Sequence, residues 1–173
     1  ISKLDNVPIN KAISLLEADY DNKNGGFGGA PKFSFASSLD LFLKQWAKTA
    51  YDDEPKRNFL YMVSHSLQKM ARGGLYDQVG GGFYHYSIDQ TWEIPHFEKT
   101  LYDNAQLIPL YAQLFQVSGD TYYHDIAIDS VKWLIDDLQS DDSAFYSTID
   151  ADSENEEGKF YVWTREEIRE LLV

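Results

Sequence analysis

The stretch GGLYDQVGGGFYHYSIDQTWEIPHFEKTLYDNAQL runs from Gly73 to Leu107 and separates two segments with helical periodicity. It contains five glycines, three of them consecutive at positions 80–82, together with two histidines and many aromatic residues. Consecutive glycines permit backbone conformations that a Cβ would exclude, and such turns bring neighbouring side chains together. The stretch therefore predicts a helix, a long turn rich in glycine and aromatic residues, and a second helix.

The same order of helix, glycine-aromatic turn and helix occurs three times along the chain. The turns contain NGGFGGAPKF (24–33), GGLYDQVGGGFYHYS (73–87) and SAFYSTIDADSENEEGKFYVW (143–163). Each unit spans roughly 50 to 60 residues, which is longer than the common helical repeats. Consecutive helical hairpins with long loops at one end favour an all-α fold, a partial α/α toroid with short β-hairpins in its rim loops. An ordinary helical bundle is the alternative.

Helix boundaries follow from the spacing of apolar residues and from capping signals. Ser37 and Asp120 are predicted N-caps, Gly73 ends a helix, and Thr164 with Glu167 forms a capping-box pattern. We predict helices over residues 10–19, 37–49, 55–72, 99–117 and 120–138, and a further helix from 164. Because that last helix shows no C-cap before the sequence stops, we expect residues 1–173 to be a fragment of a longer protein.

The composition excludes several classes of function. The net charge is −13, with 15 basic against 28 acidic residues and no basic stripe, so we expect no nucleic-acid partner. The chain has no cysteine, which excludes disulfides, thiolate nucleophiles and cysteine-ligated metal centres within it. No apolar run approaches the roughly 20 residues that span a bilayer. We therefore expect a soluble, cytoplasmic protein with no membrane partner.

No cofactor and no metal site are expected. DADSENEEG (150–158) places oxygen ligands at alternate positions, as a calcium loop does, but Asn155 stands at the sixth position, where an EF-hand requires glycine. A phosphate cradle at GGFGGA (25–30) is not supported, because no strand pattern precedes it. We interpret 150–158 as an acidic rim loop that turns a polar group such as Asp152 toward a substrate.

The turn at 73–107 holds most of the candidate site residues. His96 and Glu98 can transfer protons near neutral pH, and Trp92 offers a flat apolar face on which a sugar ring can stack. Apolar faces with a few convergent titratable groups are typical of a small-molecule pocket. We predict three catalytic residues, His96, Glu98 and Asp77. The predicted substrate-binding residues are Trp92, Tyr84, His85, Tyr102, Asp103 and Asp152.

A purely structural interpretation of the same turn stays open. Pro95 can fix the entry to a helix, while His96 and Glu98 stabilise the free amides of its first turn. Asp103 would then face Lys99, four residues earlier on the same helix.

The other two histidines are expected to be structural. His65 lies on the apolar face of a helix and is interpreted as a core histidine with satisfied hydrogen bonds. His124 lies in the first turn of a helix beside an aspartate and is expected at the surface.

Three blocks of sequence together resemble a known family. The turn at 73–107, with YDNKNGGFGGAPKF (20–33) before it and DADSENEEGKFYVW (150–163) after it, closely resembles the thioredoxin-domain-containing proteins typified by spermatogenesis-associated protein 20. The likeness covers nearly the whole chain, and PHFEKTLYDNA (95–105) is a specific block. His85 stands where the family usually has arginine, and Thr100 where it usually has methionine.

The resemblance implies a domain arrangement. The family has an N-terminal thioredoxin-like domain followed by an (α/α)6 toroid similar to the N-acylglucosamine 2-epimerases and the six-hairpin glycosidases. This chain would be about the first half of the toroid, without the thioredoxin-like domain and the remaining hairpins. Because the missing hairpins would leave an apolar flank uncovered, self-association of the fragment is expected to be possible.

The resemblance also implies carbohydrate chemistry, although fold alone does not decide function. A proton transfer of the sugar epimerase, isomerase or glycosidase kind would use His96 as acid or base, with Glu98 or Asp77 as its partner. Trp92 and Tyr84 would form the stacking platform. The competing interpretation is a non-catalytic module that binds a glycan or peptide, or supports the linked thioredoxin-like domain. The expected partners are a small-molecule substrate such as a sugar, and that linked domain; the sequence leaves open whether the chain is an enzyme.

Overall fold

The computed structural model describes residues 5–172, and their regular structure is mainly helical. The helices are α1 (Val7–Asp19), α2 (Ala36–Ala47), α3 (Arg57–Arg72), α4 (Leu101–Ser118), α5 (Thr121–Trp133) and α6 (Arg165–Leu171). Leu134–Leu138 continue α5 as a π-helical turn. Within residues 5–172, no helix has both the length and the apolar content needed to cross a membrane.

Short strands of two residues each lie in the long turns. They are β1 (Lys32–Phe33), β2 (Tyr86–Ser87), β3 (Pro95–His96), β4 (Lys99–Thr100), β5 (Thr148–Ile149), β6 (Asp152–Ser153) and β7 (Glu156–Glu157). Strands β1, β2 and β3 form one antiparallel sheet in that order, β4 pairs with β5, and β6 pairs with β7. The last turn contains a short hairpin, but β6 and β7 form it within the acidic loop; the two ends of the turn, which were predicted to pair, do not, and β5 pairs with β4 instead. The three-stranded sheet joins the first turn to the second.

The three predicted turns share an internal design. Each contains an isolated antiparallel bridge that closes the loop, formed by Tyr20 with Phe27, Tyr76 with Phe83, and Gln139 with Phe145. In the first two turns, the backbone amide of the aspartate after the tyrosine donates a hydrogen bond to the carbonyl of a glycine five residues later. The bond from Asp21 to Gly26 is 2.9 Å long, and the bond from Asp77 to Gly82 is 3.0 Å long. The predicted repetition of the turn along the chain is therefore confirmed.

A buried lysine pairs with the aspartate in each of the first two turns. Lys32 Nζ lies 2.6 Å from Asp21 Oδ2, and Lys99 Nζ lies 2.7 Å from Asp77 Oδ2. The two lysine side chains are 0% and 1% exposed. Because a buried charge without a partner is strongly unfavourable, each lysine and its aspartate depend on one another.

A tryptophan covers the glycines of each of these turns. Gly26 has a φ of +73°, and a Cβ at this position would collide with the ring of Trp92. Gly82 has a φ of +76°, and its Cβ would collide with the ring of Trp133. The buried lysine of each turn lies over the same tryptophan, 5.3 Å and 5.0 Å from the ring centroid, in cation–π geometry. Glycine is therefore required here both for conformation and for space.

Helices α2, α3, α4 and α5 contribute to one hydrophobic core. The Tyr111 hydroxyl on α4 donates a hydrogen bond to the carbonyl of Leu67 on α3 at 2.7 Å, so the buried phenol is satisfied. Other buried core residues are Leu39, Phe42, Val63, Met70, Leu107, Leu110 and Leu114. This core supports the turns, which lie between the helices.

Four predicted helix starts are wrong. Helix α1 begins at Val7 and not at residue 10, and α3 begins at Arg57 and not at residue 55. The N-cap of α2 is Phe35 in a left-handed conformation with a φ of 44°, and not Ser37. Helix α4 begins two residues later than predicted, because Lys99 and Thr100 pair with β5 as a strand. Thr100 caps α4 through its side chain, which accepts a hydrogen bond from the amide of Asp103. The structural interpretation of the turn at 95–103 as a helix entry is therefore also wrong.

Three predicted boundary signals are confirmed. Helix α3 ends with Gly73 as its C-cap. The side chain of Asp120 accepts a hydrogen bond from the amide of Tyr122 at the start of α5. Thr164 and Glu167 form a complete capping box at the start of α6.

Of the predictions for the two histidines outside the turn at 73–107, one is confirmed and one is wrong. His124 is exposed, as predicted, with Nδ1 3.0 Å from Asp125 Oδ1. His65 is half-buried in α3, and its ring stacks on that of Tyr61 with a centroid distance of 5.4 Å. Its Nε2 is buried and has no hydrogen-bond partner among the described residues, so the prediction of a satisfied core histidine is wrong.

Candidate functional site

Strands β1, β2 and β3 place three rings in a row. Their register pairs Phe33 with Tyr86, and Tyr86 with His96. Directly opposed residues of an antiparallel pair project to the same face. The ring centroids are 4.9 Å apart in both pairs, and the rings of Tyr86 and His96 are stacked. The sheet therefore builds an aromatic row that ends in an imidazole.

His85 lies beside this row and is held by a carboxylate. Its Nδ1 is 2.7 Å from Oδ2 of Asp103, in the first turn of α4, and 3.1 Å from the hydroxyl of Tyr102. The backbone amide of His85 donates to the carbonyl of Glu98 at 2.8 Å. The His85 ring lies 5.4 Å from that of Tyr86 in an edge-to-face arrangement. The structure thus brings together three predicted substrate-binding residues, His85, Tyr102 and Asp103.

His96 is held in the same way by another carboxylate. Its Nδ1 lies 2.7 Å from Oε1 of Glu157, which is in β7, and its Nε2 lies 3.7 Å from Oε2 of Glu98. The other oxygen of Glu98 accepts a hydrogen bond from the hydroxyl of Thr148 at 2.9 Å. The predicted pair of His96 and Glu98 is therefore close in space, with both side chains partly exposed.

These side chains form one group, which we term the imidazole cluster. It consists of Phe33, His85, Tyr86, His96, Glu98, Tyr102, Asp103 and Glu157. A carboxylate at Nδ1 favours the proton on that nitrogen and leaves Nε2 as the basic nitrogen. An imidazole oriented in this way is suited to general acid or base chemistry. Between residues 5 and 172, no group of three or more metal-ligating side chains is arranged to hold an ion.

Asp77, the third predicted catalytic residue, lies on the other side of β4. Successive side chains of an extended segment point to opposite faces. Thr100 contacts Asp103 of the imidazole cluster, whereas Lys99 points the other way and binds Asp77. The predicted pairing of Asp77 with His96 is therefore corrected: among described residues the carboxylate binds Lys99 and two amides of its own turn.

The Asp77–Lys99 pair is electrostatically coupled. Burial acts to raise the pKa of Asp77, but hydrogen bonds from Lys99 and from the turn amides outweigh it, and the pKa is lowered. Burial lowers the pKa of Lys99, and Asp77 only partly offsets this effect. In the first turn, burial likewise acts to raise the pKa of Asp21, while hydrogen bonds from Lys32 and from Asn24 hold it well below its usual value.

We expect the chain to lose stability in acid because of these aspartates. An unfolded aspartate has a pKa of about 3.9. Since the folded pKa values are lower, the stabilisation is fully present above that value and is lost as the pH falls through the folded pKa. The measurement is urea unfolding at neutral pH and at about pH 3. Asp77→Asn should weaken the dependence of the unfolding free energy on pH, whereas Asp52→Asn, at an exposed position, should leave it unchanged. If the two variants showed the same pH dependence, Asp77 would not be a cause of the acid sensitivity.

Trp92 and Tyr84, the predicted stacking platform, are both buried. Trp92 is 0% exposed, and its indole N–H donates to the carbonyl of Asn24 at 2.9 Å. Tyr84 is 5% exposed, and its ring packs against Phe97 and Tyr161. A ring without an exposed face has none to offer a sugar. The predicted substrate contacts of Trp92 and Tyr84 are therefore corrected; within the imidazole cluster, the half-buried Phe33 and Tyr86 provide the aromatic surface.

Glu157 belongs to the imidazole cluster, although it was not predicted from the sequence. It lies 61 residues after His96, in the acidic loop from which Asp152 was chosen. Asp152 and Glu157 are paired across the β6–β7 hairpin. Asp152 is exposed, and its backbone amide donates a hydrogen bond to the carboxylate of Asp150. The sequence could indicate only that the acidic loop carries carboxylates. The register of the hairpin is needed to show which of them reaches the His96 imidazole.

A cavity lies on the opposite side of β4 from the imidazole cluster. Its volume is about 650 Å³, with the Asp77–Lys99 pair in its wall. Lys99 Nζ lies 5.0 Å from the ring centroid of Trp133 and 5.1 Å from that of Tyr161. The remaining aromatic wall is formed by Phe160 and Trp163, which are 73% and 56% exposed. We term this space the aromatic cavity; its exposed rings provide the flat faces that Trp92 and Tyr84 lack.

Comparison with known proteins supports the family resemblance. No family model matches the chain. Over 169 residues it is 41% identical to spermatogenesis-associated protein 20 of Homo sapiens, a match that covers 94% of this chain and 21% of that protein. The chain therefore spans about a fifth of the length of the curated relatives it matches. The resemblance predicted from the sequence is confirmed.

Solved structures share the fold at low sequence identity. Cellobiose 2-epimerase from Bacillus thermoamylovorans superposes with a TM-score of 0.65 and 17% identity, covering 79% of this chain and 37% of that one. A family 76 glycoside hydrolase from a bovine Bacteroides thetaiotaomicron strain superposes with a TM-score of 0.63 and 16% identity, covering 87% of this chain and 33% of that one. Both are α/α toroids. At this identity the likeness shows the fold alone.

Proposed function

We propose that this homologue of a segment of spermatogenesis-associated protein 20 acts on a carbohydrate, and that the imidazole cluster transfers a proton to or from the sugar. One observation carries the proposal. His85 and His96 each have Nδ1 at 2.7 Å from a carboxylate, and both rings contact the Tyr86 ring. Fold neighbours named as an epimerase and a glycoside hydrolase support the substrate class.

The proposal assigns a role to each part of the cluster. His96 is the candidate acid or base, oriented by Glu157, and Glu98 is its second carboxylate. His85, oriented by Asp103, is the candidate for the complementary step. Two imidazoles on one surface suit an epimerase or isomerase, in which one group removes a proton and another returns one. Tyr86 and Phe33 offer the apolar face for the sugar ring.

We also propose that the chain is about the first half of an (α/α)6 toroid. The share of the solved toroids that it covers, 37% and 33%, supports a partial toroid. In the full-length protein, later hairpins would complete the wall of the cleft, and a linked thioredoxin-like domain would be its partner. The curated relatives, about five times longer than the matched segment, leave room for both.

The second candidate function is a non-catalytic module that binds a glycan or a peptide. The aromatic cavity favours it. A volume of about 650 Å³ lies within the usual range for small-molecule sites, and partly exposed rings beside carboxylates are suited to sugar stacking and hydroxyl recognition. In this alternative the imidazole cluster would have a structural role only.

Titration and product analysis together separate the two functions. The full-length protein would be titrated calorimetrically with mono- and disaccharides, and the same mixtures followed by NMR. We expect binding together with a new epimer, isomer or hydrolysis product. Binding without any product would favour the module, and neither binding nor product would overturn both proposals.

A further inference from the structure

The backbone of the third turn repeats that of the first two. The amide of Ser140 donates a hydrogen bond to the carbonyl of Ala144 at 2.8 Å, and the amide of Ser143 donates one to the carbonyl of Ser140 at 2.9 Å. The first and second turns have the same two hydrogen bonds at the corresponding positions. Phe145, which forms the closing bridge of the third turn, is therefore the counterpart of the bridging phenylalanines of the first two.

The bridging phenylalanine is buried in the first two turns and exposed in the third. Phe27 is 2% exposed and Phe83 is 0% exposed, whereas Phe145 is 44% exposed. The next residue shows the same contrast, because Tyr84 is 5% exposed and Tyr146 is 61% exposed. Two aromatic positions that are buried elsewhere in the repeat thus lie open in the third turn.

In the first two turns, the helix that follows the turn covers the phenylalanine. Phe27 packs against Phe42 of α2, with ring centroids 5.7 Å apart. Phe83 stacks on Tyr111 of α4 at a centroid distance of 5.2 Å. Asn104 of α4 also binds the amide and the carbonyl of Phe83, at 2.7 Å and 2.9 Å. The repeat therefore includes its own cover, which comes from the next helix.

Helix α6 follows the third turn and has a largely open apolar face. Its range, Arg165–Leu171, is shorter than those of α2 and α4, and none of its residues is buried. Ile168, Leu171 and Leu172 are 44%, 66% and 82% exposed. Residues three and four positions apart lie on the same side of a helix. In the described part of the chain, the third turn and the helix after it are thus both without the contacts that their counterparts have.

We propose that the third turn is a docking surface for the helical segment that continues α6 in the full-length protein, and that this segment buries Phe145 and Tyr146. The match covers only 21% of the human relative, which leaves length for such a segment. The proposal rests on the proposed function in one respect, that hairpins follow residue 173. It goes further by naming the surface on which the next one docks.

The side chain at position 144 restricts how the segment can pack. The first two turns have glycine there, Gly26 and Gly82, and each lies directly under a tryptophan ring that a Cβ would strike. The third turn has Ala144, whose Cβ prevents an aromatic ring from lying equally close to the backbone. The contact is therefore made through the rings of Phe145 and Tyr146.

Hydroxyl-radical labelling of the full-length protein, followed by mass spectrometry, measures the exposure of these rings. Phe83 and Tyr84 of the second turn are matched references for burial, and the same peptides in the urea-unfolded protein give the labelling rate at full exposure. We expect Phe145 and Tyr146 to be labelled nearly as slowly as their counterparts. Rates closer to those of the unfolded protein would overturn the proposal.

Cross-linking identifies what covers the turn. Benzoylphenylalanine would be incorporated at position 146 of the full-length protein and activated by light. We expect a cross-link to a peptide that follows residue 173 in the same chain, and none to that peptide from position 51, where Tyr51 is fully exposed. A cross-link to a second copy or to a segment before residue 1, or no cross-link, would overturn the docking proposal.

This failure is distinguishable from failure of the proposed function. If hairpins follow residue 173 but position 146 does not contact them, only the docking surface is wrong. If no helical hairpins follow residue 173 in the full-length sequence, the proposed toroid is wrong as well. Neither result bears on turnover by the imidazole cluster, which sugar titration and product analysis measure separately.

Discussion

Replacing His96 by alanine in the full-length protein is expected to lower carbohydrate turnover by about 100- to 10,000-fold, the usual contribution of a general acid or base. The imidazole is held by Glu157 at 2.7 Å and stacks on Tyr86, so its position is set by two elements at once. Because the side chain is mostly buried, at 26% exposed, its removal should cost about 1–2 kcal/mol of unfolding free energy, which is too little to unfold the chain. Initial rates with the sugar that gives a product measure the effect.

The control for this variant is His124→Ala. Like His96, His124 has Nδ1 close to a carboxylate, that of Asp125. It is exposed and lies outside the imidazole cluster. It should retain turnover. Unchanged turnover in His96→Ala, or collapse of its fold, would remove His96 from the proposed mechanism.

Replacing Lys99 by methionine is expected to destabilise the chain by about 3–5 kcal/mol, because it leaves the Asp77 carboxylate buried without its cation. Lys99 lies close to three aromatic rings and is 1% exposed, so its ammonium group is the main partner of the Asp77 carboxylate. The measurement is the free energy of unfolding in urea at neutral pH.

Two further variants test the cause of that loss. Lys44→Met breaks an exposed ion pair with Asp40 and should cost less than about 1 kcal/mol. Adding Asp77→Asn to Lys99→Met should recover part of the stability, because the uncompensated charge is removed while the side-chain oxygen still accepts from the turn amides. A Lys99→Met variant as stable as Lys44→Met would show that the buried pair does not support the turn.

Helix type and order could be predicted because they depend on local signals. Apolar spacing and the caps at Asp120, Gly73 and Thr164 are encoded within a few residues, and the structure has all three. The start of α4 could not be predicted in this way. Lys99 and Thr100 are extended because β5, almost 50 residues later in the chain, pairs with them. Long-range pairing thus overrode the local helical pattern.

The candidate site could be predicted in part. His96, Glu98, His85, Tyr102 and Asp103 lie together, since they come from one turn and the helix that follows it. The roles of the aromatic residues could not be read from the sequence, because a buried ring and an exposed ring have the same composition signal. Trp92 is enclosed by contacts with the first turn, nearly 70 residues earlier.

The repeated aspartate and lysine were missed for a related reason. Asp21 and Lys32 are 11 residues apart, whereas Asp77 and Lys99 are 22 apart, so no fixed spacing marks the pair. The aspartate keeps a constant spacing to the tyrosine before it and to the glycines after it, and only the position of the lysine differs between the two turns. Asp77 was consequently interpreted as catalytic, although its hydrogen bonds are those of a turn-forming residue.

The most direct test of a carbohydrate-active imidazole cluster is a crystal structure of the full-length protein soaked with a panel of mono- and disaccharides. The account predicts a sugar stacked on Tyr86, with one of its carbon-bound or hydroxyl groups within about 3.5 Å of Nε2 of His96 or His85. A sugar bound only in the aromatic cavity, or imidazoles covered by other parts of the full-length chain, would contradict it.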